Sequence, residues 1–435
     1  MFNNYSSLLA LSLALTLTAA PCHVYAADED AQPASESDRL SEAELQQLFE
    51  TAMAERDSGK VFSAIQKFEY ILSRRPSLNR ARLELAVSYH RASRYEDALK
   101  EFQTVLNDPG TPEKVRLAIL AYLGQLTSDE LKPAAENLFS YYAKAGAIYN
   151  TNINFAPLRG SQIYQIPDGE DTASPGLDTF ISASHRYARK KPLNTAGAAT
   201  EFEWQSQLSW TGNNYTRTSD FNLNIISLST GPALISTGRW RGSLTIQVDQ
   251  TYFGSHTLGT LISLNPLLTF DLGNYRGITL EASYSDIQYA QAADNGRDGS
   301  STLLGAAFST LLNGVDDGLE VGFRLLDRPA DDEQFGYNSY ELYFGGFMAT
   351  GPAANVYLNI NLQQYNFNAA DTVSGTIRDE LESRFVLGYN FDFAEGYLQG
   401  WTMNTNASFS KNNSNVDAFS YERIIVGVNL ARYFQ

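Results

Sequence analysis

The run Val356-Tyr357-Leu358-Asn359-Ile360-Asn361-Leu362-Gln363 alternates an apolar with a more polar side chain over its whole length. Successive side chains of a strand point to opposite faces, so Val356, Leu358, Ile360 and Leu362 share one face and Tyr357, Asn359, Asn361 and Gln363 the other. The pattern recurs. Leu244, Ile246 and Val248 alternate with Ser243, Thr245 and Gln247, and Ile278, Leu280, Ala282 and Tyr284 with Thr279, Glu281, Ser283 and Ser285. Leu319, Val321, Phe323 and Leu325 alternate with Glu320, Gly322 and Arg324 in the same way, as do Trp401, Met403, Ala407 and Phe409 with Asn404, Asn406, Ser408 and Ser410. A soluble sandwich turns after shorter intervals. Segments of about ten residues with one apolar and one strongly polar face are the pattern of a transmembrane barrel.

Fourteen such segments begin near residues 140, 178, 200, 220, 241, 258, 277, 301, 317, 337, 354, 379, 401 and 421. An even number returns the chain to the side on which it started, and closure removes the edges that lipid does not tolerate. Odd-to-even connections are expected to be long and external: Ala156 to Gly176, Gln291 to Ser300, Arg328 to Gln334, Ala369 to Ile377. Even-to-odd connections are expected to be mostly short, as at Thr237-Gly238-Arg239, Gly273-Asn274, Asn313 to Asp317 and Gly351-Pro352, with Lys190 to Ala199 the exception. In the last segment Ile424, Val426, Val428, Leu430 and Phe434 are assigned to lipid, and Gly427, Asn429, Ala431 and Tyr433 to the lumen. Arg432 interrupts the lipid face, where it can snorkel to the interface. A terminal strand ending in an aromatic resembles the signal read by the barrel-insertion machinery, a partner this ending implies.

Composition agrees. The 435 residues are 19% charged and 12% aromatic, with 25 Tyr and 24 Phe. A net charge of -17 argues against nucleic acid as a partner. Leu8 to Ala20 is an apolar stretch before Val24-Tyr25-Ala26, which reads as a signal peptide over 1–26. Residues 27–39 read as a flexible acidic lead-in, and no later apolar run has the length of a transmembrane helix. The single cysteine, Cys22, falls inside the signal, so neither disulfides nor thiol chemistry is expected of the mature chain.

From 40 to 138 the apolar spacing is helical instead. Ala64 recurs as Ala98, Phe68 as Phe102 and Val61 as Tyr95, each 34 positions on, while Pro76 is answered by Pro109. Period and residues resemble the tetratricopeptide repeat, with two clear helical hairpins and a degenerate third over Pro112 to Asn137. Such repeats line a concave groove with their first helices. Registered on Pro76, the groove positions are Gln46, Phe49, Met53 and Arg56, then Arg80, Leu83, Val87, His90 and Arg91. Apolar and arginine side chains there suit capture of a protein segment. Residues 60 to 100 carry nine Lys or Arg against four acids, residues 27 to 57 ten acids against two Arg. The expectation is a basic groove for an acidic partner; the plainer alternative is a solvated face. The fold class read from sequence is thus a tetratricopeptide-repeat helical domain followed by a 14-stranded antiparallel outer-membrane β-barrel over 139–435.

Catalytic chemistry has little support. His90, His185 and His256 lie near no second metal ligand at usable spacing, and neither G-x-S-x-G nor H-E-x-x-H occurs. The reading is a non-enzyme with no metal and no cofactor.

At the domain junction the chain reads Tyr149-Asn150-Thr151-Asn152-Ile153-Asn154-Phe155-Ala156-Pro157. This run, between helical repeats and a fourteen-strand barrel, resembles the surface lipoprotein assembly modifier family. The ending from Ser414 through Tyr421-Glu422-Arg423 to Arg432-Tyr433-Phe434 is similar to that family's. Asn150, Asn152 and Asn154 are expected to alternate onto the lumen face of strand one near its outer mouth. The resemblance implies an outer-membrane translocation factor whose periplasmic repeats engage an exported client, a lipoprotein or secreted protein, and whose barrel assists its passage. A polysaccharide exporter of repeat-plus-barrel type and a diffusion porin are the alternatives.

Overall fold

The computed structural model describes residues 42–106, 108, 115, 119, 137–161, 163–165, 171–189, 191–312 and 317–434. The expected signal peptide, acidic lead-in and most of the third hairpin lie outside the described residues. Among the described residues no helix is long and apolar enough to cross a membrane, which says nothing of a barrel.

Four helices come first: α1 (Glu42–Asp57), α2 (Val61–Arg74), α3 (Asn79–Arg91) and α4 (Tyr95–Leu106). They form two antiparallel hairpins, and the sequence repeat is a repeat of structure, since α4 starts 34 residues after α2. Ala64, Phe68, Ala98 and Phe102 are fully buried at equivalent places, the small residues letting the helices approach and the rings filling the space between them. Phe49 of α1 meets Phe68 edge-on, with ring centroids 5.5 Å apart. α2 ends at Arg74, because Arg75, the residue before Pro76, is steered out of the helical region. Gly59 (φ 87°) turns the chain from α1 into α2.

The rest is one closed antiparallel sheet. Its strands are β1 (Asn137–Asn150), β2 (Ser174–Ala188), the three-residue β3 (Leu193–Thr195), β4 (Ala198–Tyr215), β5 (Leu223–Ser236), β6 (Trp240–Phe253) and β7 (His256–Gly273). The circuit continues with β8 (Arg276–Tyr289), β9 (Gly299–Leu311), β10 (Asp317–Arg328), β11 (Tyr337–Gly351), β12 (Ala354–Ala370), β13 (Ile377–Asp392), β14 (Trp401–Ser414) and β15 (Tyr421–Phe434). Each long strand pairs with its sequence neighbours, β2 pairs with β4, and β1 closes the circle on β15 from Tyr141↔Phe434 to Asn150↔Ile425. Setting β3 aside, this is a 14-stranded barrel, and every strand starts within four residues of its expected position.

The outward face is apolar: Leu208, Leu228, Ile246, Leu304, Leu342 and Leu387 are each more than half exposed. A continuous apolar exterior is untenable in water and is the surface that hydrocarbon covers. In β15 the outward set Ile424, Val426, Val428 and Phe434 is as expected, and Arg432 lies over the rings of Trp401 and Phe434 at 5.8 and 5.3 Å. Strands of 12 to 18 residues exceed the roughly 9–11 that span the hydrocarbon core.

The connections divide as expected, with two departures. One end carries 151–173, 216–222, 290–298, 329–336, 371–376 and 415–420, but also the two-residue turn 254–255. The other end carries 237–239, 274–275, 312–316 and 352–353, but also 393–400 and the expected exception at 189–197.

Candidate functional site: the helical docking face and the barrel lumen

The exceptional connection has a physical reason. It folds into the β3–β4 ribbon, and the ribbon's turn docks on the helices. Phe62 and Ser63, at the start of α2, donate backbone N–H groups to the Gly197 carbonyl at 2.7 and 3.3 Å. The Thr237 hydroxyl donates to the Gly59 carbonyl at 2.8 Å, and the Ser93 hydroxyl to Glu201 at 3.3 Å. Ala199 is buried in the same apolar cluster as Phe68 and Ile71. The helices are therefore fastened beneath β4 and β5, at the end with the short turns. Sequence reasoning missed these residues; the one available signal was the long link where a short turn was expected.

The expected groove residues fall into three groups. Phe49 and Arg56 are buried, Phe49 in the helical core and Arg56 ion-paired to Glu84 and, at 3.2 Å, to Asp57. These two are structural, because the crossing of α1 and α3 closes over them. Met53, Leu83 and Val87 are half-buried and pack against the core. Gln46, Arg80 and Arg91 are exposed; Arg80 lies 4.9 Å over the Phe49 ring and Arg91 meets Asp57 at 3.3 Å. His90 is half-buried beside Tyr95, and burial, with Arg91 adding like charge, holds its imidazole below the ordinary range. The basic surplus is also smaller in effect than its count, since Lys67, Arg82, Arg91 and Arg94 each meet a carboxylate.

The asparagine run is not three side chains on one strand face. β1 ends at Asn150, and Asn152 and Asn154 lie in the connection beyond it. Asn152 is buried; its side chain accepts from Ala156 N–H at 2.9 Å and donates to the carbonyls of Ala156 at 2.9 Å and Glu422 at 3.1 Å. Asn150 donates to the Tyr215 hydroxyl at 2.8 Å and accepts from Asn152 N–H at 3.0 Å, and Asn154 accepts from Thr172 N–H at 2.9 Å. A short amide suits each place because it accepts a backbone N–H, and Asn152 also donates to backbone carbonyls, so the run knots the connection after β1 onto β15. That connection reaches further: Tyr164 donates to Asp371 and stands edge-on to Phe419, with centroids 5.6 Å apart. Burial opposes ionisation of Asp371, but hydrogen bonds from Tyr164, Ser374 and Val373 hold its carboxyl below the ordinary carboxylate range.

The lumen is polar and its charges are largely matched across strands. Lys144 meets Asp178 and Arg186 meets Glu203, both at 2.8 Å. Arg324 of β10 bridges Glu281 of β8 at 2.6 Å and Glu341 of β11 at 3.2 Å, its guanidinium 4.4 Å over the Tyr343 ring. That ring covers Gly322, where a Cβ would collide with it. A cavity of about 480 Å³ opens along β6–β8, lined by Ser243, Thr245, Gln247, Ser263, Asn265 and Ser285 among others. Among the described residues no group of three or more His, Cys, Asp or Glu side chains converges to hold a metal. His185 stacks instead on Phe139 at 4.6 Å and bonds Asn137 at 2.9 Å.

Closed strand circuit, lipid-facing exterior and polar interior define a transmembrane β-barrel of the outer-membrane type, carrying an N-terminal helical segment. No protein-family model matches the sequence, and no curated protein does either. Among solved structures the chain is similar to OmpT, an outer membrane protein of Vibrio cholerae, with a TM-score of 0.39, 8% identity and coverage of 68% of this chain and 99% of that one. Pseudomonas aeruginosa OprD gives 0.36 and 8%, covering 68% and 95%, and Acinetobacter baumannii OccAB4 gives 0.34 and 9%, covering 69% and 99%. Likeness at that level adds nothing to what the barrel geometry says by itself.

Proposed function

We propose that the chain is an outer-membrane translocation factor. Its tetratricopeptide-like repeats face the periplasm and engage an exported client, a lipoprotein or other secreted protein, and its barrel assists delivery to the surface. One observation carries this reading: the helices are fastened to the barrel's short-turn end by hydrogen bonds to the Gly197 carbonyl and from the Thr237 hydroxyl, so whatever they hold is kept against the barrel. Gln46, Arg80 and Arg91 form the accessible part of the client surface, with Met53, Leu83 and Val87 as its apolar floor. The lipid-facing ending of β15 serves insertion by the barrel machinery. A diffusion porin is the second reading, favoured by the polar cavity along β6–β8. The paired charges of the lumen disfavour a polysaccharide exporter, whose conduit calls for a continuous lining of one sign.

The test is an inventory of surface proteins, with and without protease shaving, in a deletion strain complemented by wild type or by Arg80→Glu/Arg91→Glu. The exposed Arg91–Asp57 pair contributes little to folding, so the double variant keeps its barrel. A defined set of surface proteins disappears on deletion and stays absent with the double variant. An unchanged inventory on deletion rejects the translocation reading, and solute uptake by liposomes containing the chain then tests the porin.

A further inference from the structure

Arg384 on β13, Ser410 on β14 and Arg423 on β15 lie in one cross-strand row, Arg384 in register with Ser410 and Ser410 with Arg423. Their neighbours Phe385, Phe409 and Ile424 form the outward row, with Phe385 stacked on Phe409, so the two arginines and the serine face the lumen. Two strands of separation place the arginine backbones about 10 Å apart. That span is within the combined reach of two extended arginine side chains.

The two cations are compensated unequally. Arg384 pairs with Glu382 at 3.1 Å, but its side chain is 48% exposed, so that pair is weak. The Arg423 side chain makes no hydrogen bond and no ion pair among the described residues, and its Nε is buried without a partner. What holds it is Phe155 of the first outer connection, 4.2 Å beneath the guanidinium and itself braced edge-on by Tyr421 at 5.2 Å. Phe155 takes a positive φ of 52°, costly for an aromatic residue, to stand there. Arg378 on the same wall is matched by Glu380 at 3.1 Å, and Arg324 on β10 by Glu281 and Glu341. A guanidinium oriented by stacking and left without an acceptor is a donor fork awaiting one.

We propose that Arg423 and Arg384, with the buried Ser410 between them, form a lumenal subsite for the oxyanion of a solute, a carboxylate or a phosphate, near the outer mouth of the barrel. Arg423 offers the planar fork, Arg384 swings from Glu382 to share the anion, and the stacked Phe155 keeps the fork aimed. The subsite does not depend on which cargo the helices engage.

Equilibrium dialysis of the full chain in detergent against radiolabelled inorganic phosphate at low ionic strength tests this. Wild type binds saturably, and Arg423→Gln weakens binding at least about tenfold, as removal of a charge-assisted fork does. Arg384→Gln weakens it too, Arg423→Lys falls between because it keeps charge without the fork, and Arg241→Gln on β6 leaves it unchanged. Each variant is first shown to keep the heat-dependent gel shift of a folded barrel. Glucuronate displaces the phosphate, whereas chloride at equal ionic strength does not. Absence of saturable binding, binding that survives both Arg423→Gln and Arg384→Gln, or equal displacement by chloride overturns the proposal and leaves Arg423 a rim charge.

Discussion

Phe62 and Gly197 are joined across the two parts of the chain by a backbone hydrogen bond of 2.7 Å, and Ser63 N–H shares the same acceptor. A helix begins with N–H groups that find no partner inside it, and a side-chain oxygen commonly takes one of them. α2 has Lys60 at that place, with no side-chain cap and no acid in its first turn. The barrel supplies the cap: a carbonyl dipole from the β3–β4 turn meets the positive end of α2. Gly197 permits this because its φ is 89° and because a Cβ there would collide with the Ser63 hydroxyl. Gly197→Val therefore frees the helices, which become sensitive to limited proteolysis while the barrel keeps its heat shift. Equal protease resistance in wild type and variant would show that the cap does not hold the helices.

The two faces of β12 predict opposite responses to charge. Ile360 lies on the outward row with Phe344 and Phe385, and Asn361 points inward to donate to Glu341 at 2.5 Å. Ile360→Arg costs about 2–4 kcal/mol if the site is near the bilayer midplane. Asn361→Arg meets Glu341 and is tolerated. Urea titrations of folding into lipid vesicles measure both; equal costs would contradict the assignment of faces.

Asn152→Ala removes three hydrogen bonds from a buried turn and leaves the Ala156 N–H without its acceptor. The expected loss is about 1–3 kcal/mol, confined to the connection between β1 and β2. Added protease then cuts near Leu158 in the variant before wild type, with the barrel intact. An unchanged cleavage rate would mean that Phe155 and Tyr164 hold the connection by themselves.

Much of this was legible in the sequence. Alternation at period two places every long strand, because a barrel strand has water on one side and lipid on the other and each position is selected for one of them. The 34-residue spacing of Ala64 and Ala98, and of Phe68 and Phe102, places the hairpins for an equally local reason. The site was less legible. Arg56 and Arg80 are the same residue type at related positions, and only packing against Glu84 makes one buried and the other exposed. The asparagine run was visible as a motif, yet its role depends on Tyr215 and Glu422, which the circle of strands brings from far along the chain. Nothing local to Thr195-Ala196-Gly197 marks it as a helix cap.

The two sets of connections predict opposite accessibility. Single cysteines at Asn295, Asp332 and Ser374 react with an impermeant label on intact cells, and cysteines at Gly238, Asn274 and Gly351 react only after the membrane is opened. Labelling of both sets alike would break the assignment of ends.

The claim on which the rest depends is that the helices are fixed to the barrel at the β3–β4 turn. The Ser93 hydroxyl and the Glu201 carboxylate meet at 3.3 Å across the same junction, and neither position is a glycine. The direct measurement is cross-linking of Ser93→Cys/Glu201→Cys in folded chain with a short reducible bifunctional thiol reagent, read by denaturing electrophoresis with and without reductant. The account predicts near-complete intramolecular cross-linking, seen as altered migration that reductant reverses, with no cross-link for Ser93→Cys paired with a cysteine at Gly351. Absence of the Ser93–Glu201 cross-link, or equal cross-linking of both pairs, would contradict it.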